Sequence, residues 1–185
     1  TRFFLAALGL CATAVFASPP ATGGKVLPPG AKAPGWSLGD MAAAVAIFSL
    51  SGNDPQFLPD TPFQIIYRRP GNTFTVSPGT FFYLKFFFID DSAPIAGDWP
   101  EDEDAAGDYL FGRDQLGGHD LQVVVDGEVT SLDDPGYLGG PVPTPDSPSG
   151  GEHLIQIGAF LSPLPKGTHT VTISAVFDGN AAIEA

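Results

Sequence analysis

Residues 73–91 read TFTVSPGTFFYLKFFFIDD, and the reading of that stretch decides the fold. Pro78-Gly79 breaks it with a turn. Beyond the turn, residues 80–89 form a run dominated by aromatic and β-branched side chains, which favours a strand over a helix of the same length. Strict alternation places Phe82, Leu84, Phe86 and Phe88 on one face and Phe81, Tyr83, Lys85, Phe87 and Ile89 on the other. Both faces are apolar, so the run predicts a strand in the middle of a sheet with both sides covered. It ends abruptly at Asp90-Asp91.

Upstream, residues 37–50 carry the clearest helix pattern. Ser37 stands three residues before Asp40, a capping-box arrangement, and Gly52 sits where a C-terminal cap belongs. Leu38, Met41, Val45 and Phe48 make one apolar stripe among alanines, a face suited to docking on a sheet. Between helix and central strand, residues 63–68 and 73–77 read as strands joined by the turn Pro70-Gly71-Asn72.

Downstream, the apolar runs 121–125 and 128–132 flank Asp126-Gly127, the pair that best tolerates the two positive φ angles of a type I′ hairpin. Residues 133–151 are so rich in proline and glycine that they read as a long surface loop. Residues 153–160 and 168–177 are the last strands, and the latter alternates Val171, Ile173, Ala175 and Phe177 with Thr170, Thr172 and Ser174. About seven strands with one good helix predict a mainly β fold. The expected architecture is an antiparallel β-sandwich, jelly-roll-like or immunoglobulin-like, with one amphipathic helix packed on it.

Arg2, the apolar residues that follow it and the small residues before Ser18 read as a secretory signal peptide over 1–17, too short for a membrane anchor. Residues 18–35 read as a Pro/Gly-rich flexible lead-in, and 36–185 as one domain. Cleavage after Ala17 removes Cys11, the one cysteine, so the secreted chain holds together without disulfides. The formal net charge of −13 argues against nucleic acid and anionic membranes, and no later segment is apolar enough to span a bilayer.

Gly35-Trp36-Ser37-Leu38, the run 80–88 followed by Asp90-Asp91-Ser92-Ala93-Pro94, Val125-Asp126-Gly127, and the segment PLPKGTHTV at 163–171 together resemble a family of uncharacterised secreted proteins of fungi and bacteria. That resemblance implies a secreted β-sandwich and brings no activity with it.

The chemistry-bearing residues concentrate in 90–108, which holds eight acids and no base. Calcium takes several oxygen ligands from flexible acidic loops, so Asp90, Asp91, Asp98, Asp102 and Asp104 are the expected Ca²⁺ ligands. An EF-hand frame from Asp102 fails, because its fifth and twelfth positions are Ala106 and Arg113. Pro100 and the acids behind it also suit a short helix from 100 to 111. The three histidines match no zinc spacing, and His169 reads as a strand-end residue bonded to backbone. No Gly-x-Ser-x-Gly elbow is present. Rings beside polar groups suit sugars, which singles out Tyr83, Trp99 and Tyr109. Thr144, Ser147 and Ser149 sit among prolines, a setting for O-glycosylation. These features point to a non-catalytic secreted binding protein for a carbohydrate or cell-surface partner, with calcium. The alternatives are an extracellular carboxylate-dependent hydrolase and a partner-directed interaction protein.

Overall fold

A computed structural model describes residues 25–67, 73–93, 95, 97–145 and 147–181. The leader over 1–17, the first part of the lead-in and the turn at 70–72 lie outside the described residues. Among the described residues the chain is mostly β, with two sheets and two α-helices. The aromatic run forms β2 (Phe81–Asp90), which lies between β1 (Phe63–Ile66) and β6 (His153–Leu161). β5 (Leu138–Pro143) completes this sheet in the order β1-β2-β6-β5. The second sheet is β4 (Glu128–Ser131), β3 (Gly118–Val125) and β7 (Val171–Phe177), in the order β4-β3-β7.

β2 is interior on both faces, but strict alternation fails halfway along it. Lys85 pairs with Gly158 and Phe87 with Ile157, so Phe86 is an extra residue, a β-bulge. The bulge resets the parity. Phe82 and Leu84 share one cluster with Phe87 and Ile89, while Tyr83, Lys85 and Phe88 face the opposite side. The first cluster also takes in Ile157 of β6 and Leu121, Val123 and Val125 of β3, so the two sheets share one core.

α1 (Leu38–Leu50) covers the other face. Ser37 Oγ accepts from the Asp40 N–H and Asp40 Oδ2 accepts from the Ser37 N–H, the reciprocal capping box. At the far end the Asn53 N–H reaches Phe48 O and the Gly52 N–H reaches Ser49 O, a Schellman closure with Gly52 at φ +74°. The stripe Leu38, Met41, Val45 and Phe48 is buried against Phe63, Ile65, Tyr83 and Phe160. Lys85 lies beneath the helix and does not snorkel to solvent. It is 7% exposed, and its Nζ donates to Ser49 Oγ at 3.1 Å and stands 4.5 Å from the centroid of the Phe88 ring.

Four expectations are corrected. The sheet is mixed, because β1 runs parallel to β2, so the fold is not wholly antiparallel. Residues 73–77 form no strand, and a strand the sequence hides, β5, lies inside the stretch expected to be a loop. β5 occupies a sheet edge, where Pro141 and Pro143 are tolerated, and Gly139 lets its backbone approach α1. The short helix expected from 100 to 111 forms as α2 (Glu103–Phe111), which buries Ala106, Tyr109 and Leu110 in the shared core. The lead-in from Lys25 onward is attached to the fold. The Leu27 N–H donates to Phe160 O, Val26 bridges Leu161, and Ala33 is buried under α1.

The Asp126-Gly127 hairpin forms as expected, at φ 50° and 90°, with Val125 opposite Glu128. Asp126 also holds His169, whose Nδ1–H donates to its Oδ2 at 2.6 Å while Nε2–H donates to Pro165 O at 2.8 Å. Two acceptors require both ring nitrogens to carry protons. The Asp126 carboxylate, followed by the Pro165 carbonyl, raises the His169 pKa above its ordinary 6.5. A raised folded-state pKa makes this clamp fully stabilising below pH 6.5 and weaker as pH climbs through the raised value. The melting-temperature gap between wild type and His169→Gln is therefore expected to be widest below pH 6.5 and to narrow in alkali. A gap that does not change with pH would contradict the charged clamp.

Candidate functional site

The acidic stretch divides into two places. At the end of β2, Asp90 accepts from Ser92 Oγ at 2.9 Å and from Ser149 Oγ. Asp91 Oδ1 accepts from the Glu152 N–H at 2.6 Å and the His153 N–H at 2.9 Å, and its Oδ2 pairs with His153 Nδ1. Burial alone would raise the Asp91 carboxyl, but the hydrogen bonds from His153 and Glu152 outweigh it and hold its pKa below the ordinary range. Both aspartates thus pin the connection into β6. Thr144 belongs to the same tie: it is 1% exposed and its hydroxyl donates to Gly151 O, which removes it as a glycosylation acceptor.

The second place is a cleft of about 400 Å³ lined by Asp98, Trp99, Glu101, Asp102, Asp108, Tyr109 and Gln115, with Pro100 and Ala105. α2 builds one wall. Asp102 is its N-cap, with Oδ1 accepting from the Ala105 N–H at 2.8 Å, and Glu103 and Asp104 occupy the first turn where the helix dipole favours anions. The helix starts three residues later than proline placement suggests, because the Asp102 side chain supplies the cap. From that cap the helical repeat brings Ala105, Asp108 and Tyr109 to the same wall, and small Ala105 leaves the opening.

Residues 97–100 build the opposite wall. Gly97, at φ +72°, lets the Gln115 side chain come close, and Gln115 Oε1 accepts from the Asp98 N–H at 3.0 Å. The positive φ at position 97 favours glycine, and a Cβ there would displace the Gln115 side-chain amide from the Asp98 N–H. Trp99 is partly exposed and meets Tyr109 edge-on, with centroids 5.7 Å apart at 62°. Tyr109 is 2% exposed and burial raises its phenol pKa, so it props the Trp99 ring and offers little surface of its own.

Four of the expected site residues, Asp98, Asp102, Trp99 and Tyr109, therefore meet in one cleft. The other four do not. Asp104 stays in the first turn of α2 outside the lining, and Asp90 and Asp91 serve the other tie. Among the described residues no group of three or more His, Cys, Asp or Glu is placed to hold a metal ion, so the five expected calcium ligands do not converge. Tyr83 is 1% exposed under α1, where its hydroxyl accepts from Gln156 Nε2 at 2.6 Å. The covering helix removes it from any ligand surface.

No local pattern marks Gln115, because its part depends on a turn eighteen residues earlier in the chain folding against it. Glu101 and Asp108 were visible only as members of an acidic run; the helical repeat from Asp102 is the signal that selects Asp108.

Comparison with known proteins adds nothing to this geometry: no family model matches the chain, and neither a curated protein nor a solved structure does. Among the described residues no helix is long and apolar enough to cross a membrane.

Proposed function

We propose that the chain is a secreted, non-catalytic β-sandwich protein that recognises carbohydrate through the cleft at Trp99. The sandwich reading is supported by the core that both sheets share, with α1 over the outer face of the four-stranded one. Secretion is supported by the leader-like sequence of residues 1–17.

The observation that carries the ligand class is one partly exposed indole, braced by a buried ring and bordered by Asp98, Glu101, Asp102, Asp108 and Gln115. A sugar offers an apolar C–H face for the indole and a rim of hydroxyl donors for the carboxylates. Its volume of about 400 Å³ lies within the range of small-ligand sites.

The test is a glycan array probed with wild type and Trp99→Ala. Wild type is expected to retain at least one glycan class. The variant, losing a central aromatic anchor worth about 2 kcal/mol or more, is expected to bind about 30-fold more weakly or not at all. Retention unchanged by the substitution would remove the cleft from the account. Turnover of a retained polysaccharide, lost in Asp98→Asn or Asp108→Asn, would assign the cleft to a hydrolase instead.

A further inference from the structure

Sheet edges expose unpaired backbone donors and acceptors, and proteins usually guard them with lysine, proline, bulges or short strands. β7 has none of these on its own strand. Among the described residues it pairs only with β3, which leaves its other edge open. Residues 170–177 read TVTISAVF, with no charge, no proline and no glycine, in a chain of net charge −13. Ile173 lies opposite Val123, which is fully buried, yet Ile173 is itself 43% exposed; Val176, on the other face of the strand, is 41% exposed. β7 therefore keeps apolar side chains outside the covered core. The other edge of the same sheet, β4, is four residues long and carries Glu128.

We propose that the open edge of β7 is an interface taken by β7 of a second copy of this chain, in antiparallel pairing. Charge selects this occupant. Two chains of net charge −13 repel over most of their surfaces and meet most readily where neither presents a carboxylate. The ends of the strand are complementary as well. Lys166, without an ion-pair partner among the described residues, precedes β7, while Asp178, 55% exposed and 3.3 Å from His119 Nε2, follows it; His169 is already held by Asp126. An antiparallel mate sets Lys166 of each copy toward Asp178 of the other. Such a contact is two-fold and closed, whereas β7 against β4 would run on head-to-tail. The product is a continuous six-stranded sheet made from two three-stranded ones.

Sedimentation equilibrium of the purified wild-type protein, Ile173→Lys and Val129→Lys tests this. Wild type is expected to dimerise reversibly. Ile173→Lys places like charges across the two-fold and is expected to weaken the dimer about 100-fold or more. Ile173 is already 43% exposed, so its substitution empties no core site; should that variant lose its circular dichroism, Thr172→Lys on the same strand gives the same reading. Val129→Lys, on β4 and 58% exposed, is expected to keep the dimer. A wild-type protein that stays monomeric overturns the proposal, whether another stretch of this chain or a different protein covers the edge. So does an Ile173→Lys dimer of undiminished strength, or a Val129→Lys protein that dissociates as readily.

Discussion

Lys85→Met is expected to abolish a rise in folding stability that the wild-type protein shows between about pH 8 and 10.5. Burial beneath α1 pushes the Lys85 ammonium pKa down to about 8 from an ordinary 10.5. Below pH 8 both folded and unfolded chains carry the proton, and the folded one bears the full cost of a desolvated charge. Between the two values the unfolded chain still holds the proton that the folded chain has released, so stability increases with pH. The interval corresponds to about 3 kcal/mol. Methionine carries no charge and fills a similar volume, and Ser49 keeps its bond to Gln156 Oε1 at 3.4 Å. The variant is therefore expected to be more stable than wild type near pH 7 by about 2 kcal/mol, after subtracting the lost contact with the Phe88 ring. The buried Tyr83 phenol, its pKa raised by burial, works in the opposite direction above pH 10, but it is common to both proteins and cancels in their difference. Urea unfolding across this range measures the effect. Parallel curves for wild type and variant would mean that Lys85 is solvated and that α1 does not lie over it.

Gly139→Ala is expected to cost about 3 kcal/mol, a drop in Tm of roughly 9 °C for a chain of this size. A Cβ at this position would lie 2.4 Å from Leu38 O and 2.8 Å from Leu38 C. Those are backbone atoms of the first turn of α1, and no rotamer change relieves them. Either the helix lifts or β5 leaves the sheet. Gly39→Ala is the matched control. Its Cβ would meet only Ser37 Oγ, at 3.7 Å, and alanine favours a helix over glycine by about 0.5–1 kcal/mol. Thermal melting of the two variants is expected to move in opposite directions. Equal melting temperatures would contradict the close approach of helix and edge strand.

What the sequence discloses about this fold is what neighbouring residues decide among themselves. The capping box of α1, its Gly52 closure and the Asp126-Gly127 hairpin all depend on side chains within a few positions of one another, and all three form. The burial of β2 was legible because its composition leaves no polar face. Its bulge was not, since the extra residue at Phe86 is set by register against β6, about seventy residues away. For the same reason the parallel pairing of β1 and the strand inside the proline-rich stretch stay hidden: pairing partners and edge positions settle them, not local propensity. The candidate site follows the same rule. Asp98, Trp99, Asp102 and Tyr109 lie within twelve consecutive residues, and a helix repeat gathers them. Asp90 and Asp91 are equally close in sequence but belong to a strand end, whose direction carries them to the tie with Ser149 and His153.

The carbohydrate reading stands or falls on the Trp99 ring. The chain has two tryptophans, and Trp36→Phe preserves an aromatic contact with Phe63 while leaving Trp99 as the single indole reporter. Fluorescence titration of that variant with an oligosaccharide of the retained class is expected to give a saturable change in emission, with the same affinity found by calorimetry. Binding by calorimetry with no change in Trp99 emission, or no binding of any glycan, would contradict it.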